Sequence, residues 1–163
     1  MATDLCVTAN RLLAVTLVVC AMPLLSGCEL QPQLLAAQSL NAGNEQIIAV
    51  SILTSDAKSI KTRQLYTWLV VVNCTGSQDR FPSEPYVLGQ RVSDFRFPVS
   101  GKSVDLVAHV PANIYAKYSQ PCAFLEGGGY FTGKIKSSVI PISKAQGTGP
   151  NNSFKPKPLR GSA

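Results

Sequence analysis

Leu65-Tyr66-Thr67-Trp68-Leu69-Val70-Val71-Val72-Asn73-Cys74 is the stretch that decides the fold class. It holds no glycine or proline. Tyr66, Trp68, Val70, Val72 and Cys74 fall on one parity, and Leu65, Leu69 and Val71 on the other. β-Branched and aromatic side chains fit a pleated surface. A strand that is apolar on both faces is expected at the centre of a sheet, covered above and below.

Outward from this segment the period of two persists. Upstream, Ile48, Val50 and Ile52 alternate with Ala49, Ser51 and Leu53, which predicts a strand starting at Glu45. Downstream, Thr75-Gly76-Ser77-Gln78-Asp79 is turn chemistry, prolonged by Pro82 and Pro85. Arg91 to Val99 alternates, with Phe95, Phe97 and Val99 inward and Asp94 and Arg96 outward. Ser100-Gly101-Lys102-Ser103 reads as a hairpin turn. The strand after it carries Val104, Leu106, Ala108 and Val110 on one face and Asp105, Val107 and His109 on the other. Pro111 ends it, and Ile114 to Tyr118 is either a short strand or one turn of helix. Cys122 to Leu125 predicts a strand, Glu126-Gly127-Gly128-Gly129 a turn, and Tyr130 to Ile135 the returning partner. Val139, Ile140 and Ile142 continue, with Pro141 placing that run at a sheet edge. No segment sustains a 3.6 period with caps at both ends. Six or seven short strands punctuated by Gly, Pro and Ser predict an all-β domain over residues 45–143, an antiparallel β-sandwich.

Cys74 and Cys122 lie on different predicted strands, where a bond between them would pin the sandwich across its core. In this the chain weakly resembles immunoglobulin-like domains, whose two cysteines bridge the sheets. It departs from them at two places. Trp68 precedes the first cysteine instead of lying between the two, and Tyr118 stands four residues before the second cysteine, not two. The resemblance implies the architecture and no individual residue. The transthyretin-like sandwich of a secretion-system lipoprotein is similar in the same architectural sense only.

The N-terminus carries the clearest motif. An apolar run from Leu12 follows Arg11 and ends at Leu25-Ser26-Gly27-Cys28. This resembles the lipobox of bacterial lipoproteins, [Leu/Val/Ile]-[Ala/Ser/Thr]-[Gly/Ala]-Cys, matched at all four positions. The resemblance implies that residues 1–27 are a signal peptide and that the chain is cut before Cys28. It further implies that the Cys28 thiol carries diacylglycerol and the freed amine a fatty acyl chain such as palmitate. The run, about 14 residues, falls short of the about 20 that span a bilayer. Two or more acyl chains anchor a protein firmly where one holds it only marginally. An Asp after the cysteine is the inner-membrane retention signal in enterobacteria. Glu29 stands there instead, so the expectation is an outer-membrane anchor facing the periplasm. Residues 28–44, with Pro32, Gly43 and several Gln and Asn, are expected to form a tether.

The formal net charge is +6. Arg11 and Asp4 leave together with the signal, so the balance survives cleavage. The excess sits at the C-terminus, where Lys144, Lys155, Lys157 and Arg160 have no acidic neighbour. Residues 144–163 hold Phe154 and Leu159 as their only large apolar side chains and are expected to be a disordered basic tail. Anionic lipid or peptidoglycan is the partner class such a tail suits. Nucleic acid is excluded by compartment. In an oxidising envelope Cys74 and Cys122 are expected to form a disulfide, the alternative being two buried free thiols. The long loop it closes makes such a bond worth about 4 kcal/mol. Two Cys and one His fall short of the usual four zinc ligands, so no metal and no cofactor is expected.

His109 is the only histidine, hence the only candidate for His-based acid–base chemistry. Asp105 shares its strand face but sits about 13 Å along it, beyond hydrogen-bond reach. Glu126-Gly127-Gly128-Gly129 lacks the Lys-Ser/Thr that a phosphate-binding loop needs. Tyr66, Trp68, Phe95 and Phe97 are expected in the core. With no catalytic grouping, the sequence points to a non-enzymatic, lipid-anchored binding or assembly module that works with an envelope protein partner. One alternative is an inhibitor or exclusion lipoprotein acting on a hydrolase, phage or plasmid through a protruding loop at Phe81–Leu88 or Glu126–Tyr130. The other is an envelope enzyme using His109.

Overall fold

A computed structural model describes residues 29–75, 79–129 and 133–145. β1 (Leu34–Ala42) turns into β2 (Glu45–Leu53) through Gly43-Asn44, where Gly43 takes φ +73°. Glycine adopts that backbone without steric cost, so the two strands join in a tight hairpin. They pair antiparallel from Leu34↔Ile52 to Ala42↔Glu45. The expected tether over residues 28–44 is thereby corrected: Leu34 and Ala37 are buried in the core, and residues 34–42 belong to the domain. Polar Gln38, Ser39 and Asn41 interrupt the apolar period there, but the ladder satisfies their backbone groups.

The chain then forms a helix, α1 (Thr54–Thr62), which the alternating pattern did not announce. Only Ala57 and Ile60 of its nine residues are buried, too few to leave a visible 3.6 period. Asp56 in the first turn and Lys61 in the last complement the helix dipole. Leu65 follows the helix and is fully buried. β3 (Tyr66–Asn73) pairs with β4 (Arg80–Ser83), then β5 (Tyr86–Val87) and β6 (Gln90–Arg91) make a small hairpin.

The strand expected at Arg91–Val99 is also corrected. Val92–Asp94 form one 3-10 turn, and Phe95 sits in the left-handed region at φ +55°. Val92 and Phe97 are both fully buried, a spacing of five that no single strand face allows. The chain bends so that Phe97 fills the core while Phe95 packs edge-on against Tyr66, 5.3 Å between ring centroids. Ser100-Gly101-Lys102 is accordingly a loop into β7 (Ser103–Pro111) and not a hairpin turn.

α2 (Ala112–Tyr115) resolves the Ile114 region as a single helical turn. β8 (Pro121–Gly129) runs through the glycines expected to turn. β9 (Gly133–Lys136) and β10 (Ile140–Pro141) lie one after the other along the same edge of β8, opposite β3. β11 (Ser143–Lys144) completes the set.

The strands form two sheets, a six-stranded one ordered β11-β1-β2-β7-β5-β6 and a five-stranded one ordered β10-β8-β3-β4, with β9 beside β8. The architecture is an all-β sandwich. Its core lies between the sheets, with Ile48, Val50, Ile52, Leu106 and Val110 meeting Leu69, Val71, Ala123 and Leu125. The chain crosses between sheets at both edges. On one side Glu84-Pro85 carries it from β4 to β5, and the Ser83 hydroxyl donates to the His109 carbonyl at 2.9 Å. On the other, Ile142 carries it from β10 to β11, which lies parallel to β1.

Cys74 and Cys122 are bonded, with Cα atoms 5.1 Å apart. The bond joins neighbours in one sheet, because Cys122 pairs with Val72 and the Cys74 N–H donates to the Gln120 carbonyl. Pinning of the two sheets across the core, the immunoglobulin-like expectation, is corrected accordingly. Nor is β3 covered on both faces: Tyr66 is 50% and Trp68 45% exposed. The aromatic set thus splits, with Phe97 alone fully buried.

Candidate functional site: a groove on the outer face of the six-stranded sheet

Side chains that alternate away from the core line a groove of about 690 Å³ on this sheet. Register builds its floor. Val107 of β7 stands opposite Ala49 of β2, His109 opposite Ile47, and Asp105 opposite Ser51. Tyr86 of β5 flanks Val107 from the other side. Leu40 of β1, 50% exposed, forms one wall.

The opposite wall is the β5–β6 hairpin. Its two turn residues, Leu88 and Gly89, take φ +47° and +79°. Positive φ at both positions matches the twist that a two-residue hairpin requires. Glycine adopts it freely, whereas leucine is strained there. Leu88 is also 86% exposed. A strained, protruding apolar side chain beside a groove is a feature that folding alone does not demand.

Polar groups border the apolar floor in pairs. His109 Nδ1 lies 2.9 Å from Glu45 Oε2, and the His109 ring stands edge-on to Tyr86 at 6.4 Å. The Ser51 hydroxyl donates to Asp105, and the Ser93 hydroxyl to Glu84. Arg91 Nε lies 3.7 Å from Glu84 Oε2. That carboxylate, then Tyr86, holds the Arg91 guanidinium still more firmly protonated than usual.

This arrangement orients groups more than it activates them. Glu45 can fix the ring of His109, as a carboxylate does in a hydrolase triad. Ser83, however, spends its hydroxyl on the His109 backbone carbonyl and not on the imidazole. Asp105 serves Ser51, in line with the separation expected along β7. Among the described residues no group of three or more His, Cys, Asp and Glu is placed to hold a metal ion. The partners of the His109 ring are Glu45, which sequence reading did not connect to it, and Tyr86, which sequence reading named only as part of the loop Phe81–Leu88. Cross-strand register brings them to His109 from 64 and 23 positions away, and no local spacing signals that.

The other expected site residues separate. Cys28, Lys155, Lys157 and Arg160 lie outside the described residues. Lys144 is exposed on β11 and lines a second cavity of about 590 Å³ with Leu40, Tyr115 and Tyr118. Of the two loops expected to protrude, Phe81–Leu88 ends at the exposed hairpin tip. Glu126–Gly129 instead lies within β8. No helix among the described residues is long and apolar enough to cross a membrane. No protein-family model, curated protein or solved structure matches the chain.

Proposed function

We propose that the chain is a non-enzymatic binding or assembly module of the bacterial envelope, anchored by lipid on Cys28 to the periplasmic face of the outer membrane. The groove is its recognition surface. The observation that carries this reading is an apolar floor of Ile47, Ala49 and Val107 beside the protruding Leu88. Binding sites of this size are mostly apolar, with a few polar groups that set orientation. Glu84 and Asp105 line the groove and Glu45 pairs with His109 at its edge, so carboxylates outnumber the guanidinium of Arg91 that stands beside Glu84. That balance favours a polypeptide segment that pairs an apolar side chain with a basic one. The basic tail, with Lys144, Lys155, Lys157 and Arg160, is an additional contact for anionic lipid or peptidoglycan.

A photo-crosslinker at Leu88, introduced into the full-length protein in its native membrane, tests the reading. The expected result is one discrete protein adduct that disappears when Val107→Lys charges the groove floor. A crosslinker at exposed Lys58, on α1, should give no such adduct. Absence of a Leu88 adduct, together with turnover of an envelope substrate that His109→Ala abolishes, would replace the binding module with an enzyme. The strained exposure of Leu88 favours one second reading, an inhibitor whose hairpin tip plugs a cleft. In that case the adduct is a hydrolase, and Leu88→Asp restores its activity.

A further inference from the structure

We infer that the outer face of the five-stranded sheet, around Trp68, is a membrane-apposed surface that lies flat on the anionic phospholipid leaflet holding the Cys28 lipid. The inference rests on the lipid-anchor reading and deepens it. The structure bears on how the body sits once anchored. With β1 beginning at Leu34, little chain is left between the anchor and the fold. Leu30 is already fixed: its N–H donates to the Lys134 carbonyl at 2.7 Å, and its carbonyl accepts from the Lys136 N–H at 3.1 Å. Two residues reach at most about 7 Å. On the lipid-anchor reading, the anchor point lies within that reach of Leu30, which would keep the domain close to the bilayer.

The face at that point has the composition of an interfacial surface. Glu29 lines a shallow cavity of about 370 Å³ with Trp68, Glu126, Gly127, Lys134 and Lys136. Register sets these side chains in two ranks across the sheet. Lys136 stands opposite Glu126, which stands opposite Trp68; Lys134 stands opposite Gly128, which stands opposite Tyr66. Gly128 contributes no side chain, and the Gly133 carbonyl oxygen would lie 2.8 Å from a Cβ there, so β9 backbone packs closely between Tyr66 and Lys134. Arg80 takes up the Glu126 carboxylate. No ion pair to Lys134 or Lys136 forms among the described residues. Tryptophan and tyrosine with one wet end collect at the headgroup level of membranes, and lysines there meet anionic lipid. Trp68 and Tyr66 are among the few large apolar side chains left exposed among the described residues, and both lie on the sheet face that carries Lys134 and Lys136.

Trp68 is the only tryptophan of the chain, so its fluorescence reports this face alone. The full mature protein, purified from membranes, is reconstituted into phosphatidylethanolamine–phosphatidylglycerol vesicles with a nitroxide lipid label near the headgroup. The expected result is at least about twofold quenching of Trp68 emission. Lys134→Glu with Lys136→Glu should relieve most of it, while circular dichroism stays unchanged. Mass spectrometry of the same preparation separates the two ways to fail. An unmodified Cys28 overturns the anchor and this orientation together. An acylated Cys28 with unquenched Trp68 leaves the anchor standing and overturns the flat orientation alone. Should the double variant lose its native spectrum, Trp68→Phe with a nitroxide probe coupled at Lys136→Cys gives the same reading by collision with lipid-soluble oxygen.

Discussion

Gly127→Ala is the substitution to which the fold should be most sensitive for its size. Gly127 lies inside β8, paired with Thr67 of β3. A Cβ there would stand 1.9 Å from the Tyr66 carbonyl oxygen and 2.9 Å from its carbon, with the Thr67 Cα at 3.1 Å. All three neighbours are backbone, so no rotamer change relieves the clash. The strands must part locally. Overpacking of this kind costs about 1–3 kcal/mol. Each ladder hydrogen bond weakened by the parting adds about 1 kcal/mol. A total of about 3–5 kcal/mol follows, a large part of the roughly 5–15 kcal/mol that holds a domain folded. Gly89→Ala is the control, since nothing lies within 4 Å of its Cβ and only its positive φ resists substitution. That residue should lose on the order of 1 kcal/mol. Urea unfolding followed by Trp68 fluorescence measures both, because Trp68 neighbours Thr67 and reports the same ladder. Equal costs for the two variants would refute the close approach of β8 to β3, and with it the reading of the glycines as strand.

Replacing Cys74 and Cys122 together by Ser should lower stability by about 4 kcal/mol, checked by urea midpoints with and without reductant; the wild type should then fall to the variant's midpoint in reductant. Tyr118 should make the fold alkali-sensitive. Burial, then Asp79, raises its phenol above the ordinary value. A raised folded value means stability that is complete below about pH 10 and lost as the pH climbs through the folded value. Tyr118→Phe should flatten that limb of a stability–pH curve while leaving neutral pH little changed. Leu88→Asp should not destabilise the fold, since the side chain touches solvent and aspartate accepts the positive φ more readily than leucine, yet the full-length protein should no longer co-purify its partner from membranes.

How much of this was legible depended on whether a position is decided by near neighbours or by register. β2, β3 and β7 were readable because both their pairing partners and their core neighbours demand alternation. The disulfide was expected from chemistry, since two cysteines have few other fates where the compartment is oxidising, and Cys74 and Cys122 are bonded. What failed had a common cause. Gln38 and Ser39 look like linker, yet they form the strand that β11 joins, and polar residues are tolerated where the ladder alone holds the chain. Phe95 and Phe97 mimic a strand face, yet the left-handed turn at Phe95 sends them to different places. Glycines at 127–129 read as a turn because turns use glycine for its backbone freedom. Here Gly127 serves a strand: its φ of +156° and the Tyr66 carbonyl oxygen 1.9 Å from where a Cβ would stand both exclude a side chain, and the second reason is visible only once β3 is beside it. The His109 site shows the same limit: parity placed His109 and Asp105 on one face, but Glu45 reached His109 from β2, a strand distant in sequence that pairs with β7.

On the proposed reading, the two outer faces would divide the work of an anchored recognition module. Stacked sheets lie roughly 10 Å apart, and the Trp68 face and the His109 groove are on opposite sides of that stack. If Cys28 holds the five-stranded sheet against lipid, the groove must open away from the bilayer, at a height set by one sandwich thickness and not by a tether. Such a surface meets partners that come to the membrane and is out of reach of those deeper in the periplasm. A long linker would have allowed the opposite: any orientation and a wide search volume, at the entropic cost of fixing the body whenever a partner bound. The early start of β1 removes that freedom in advance. β11, the last described strand, pairs with Gln38 and Ser39 of β1, next to Leu40 of the groove wall and on the other sheet from Trp68.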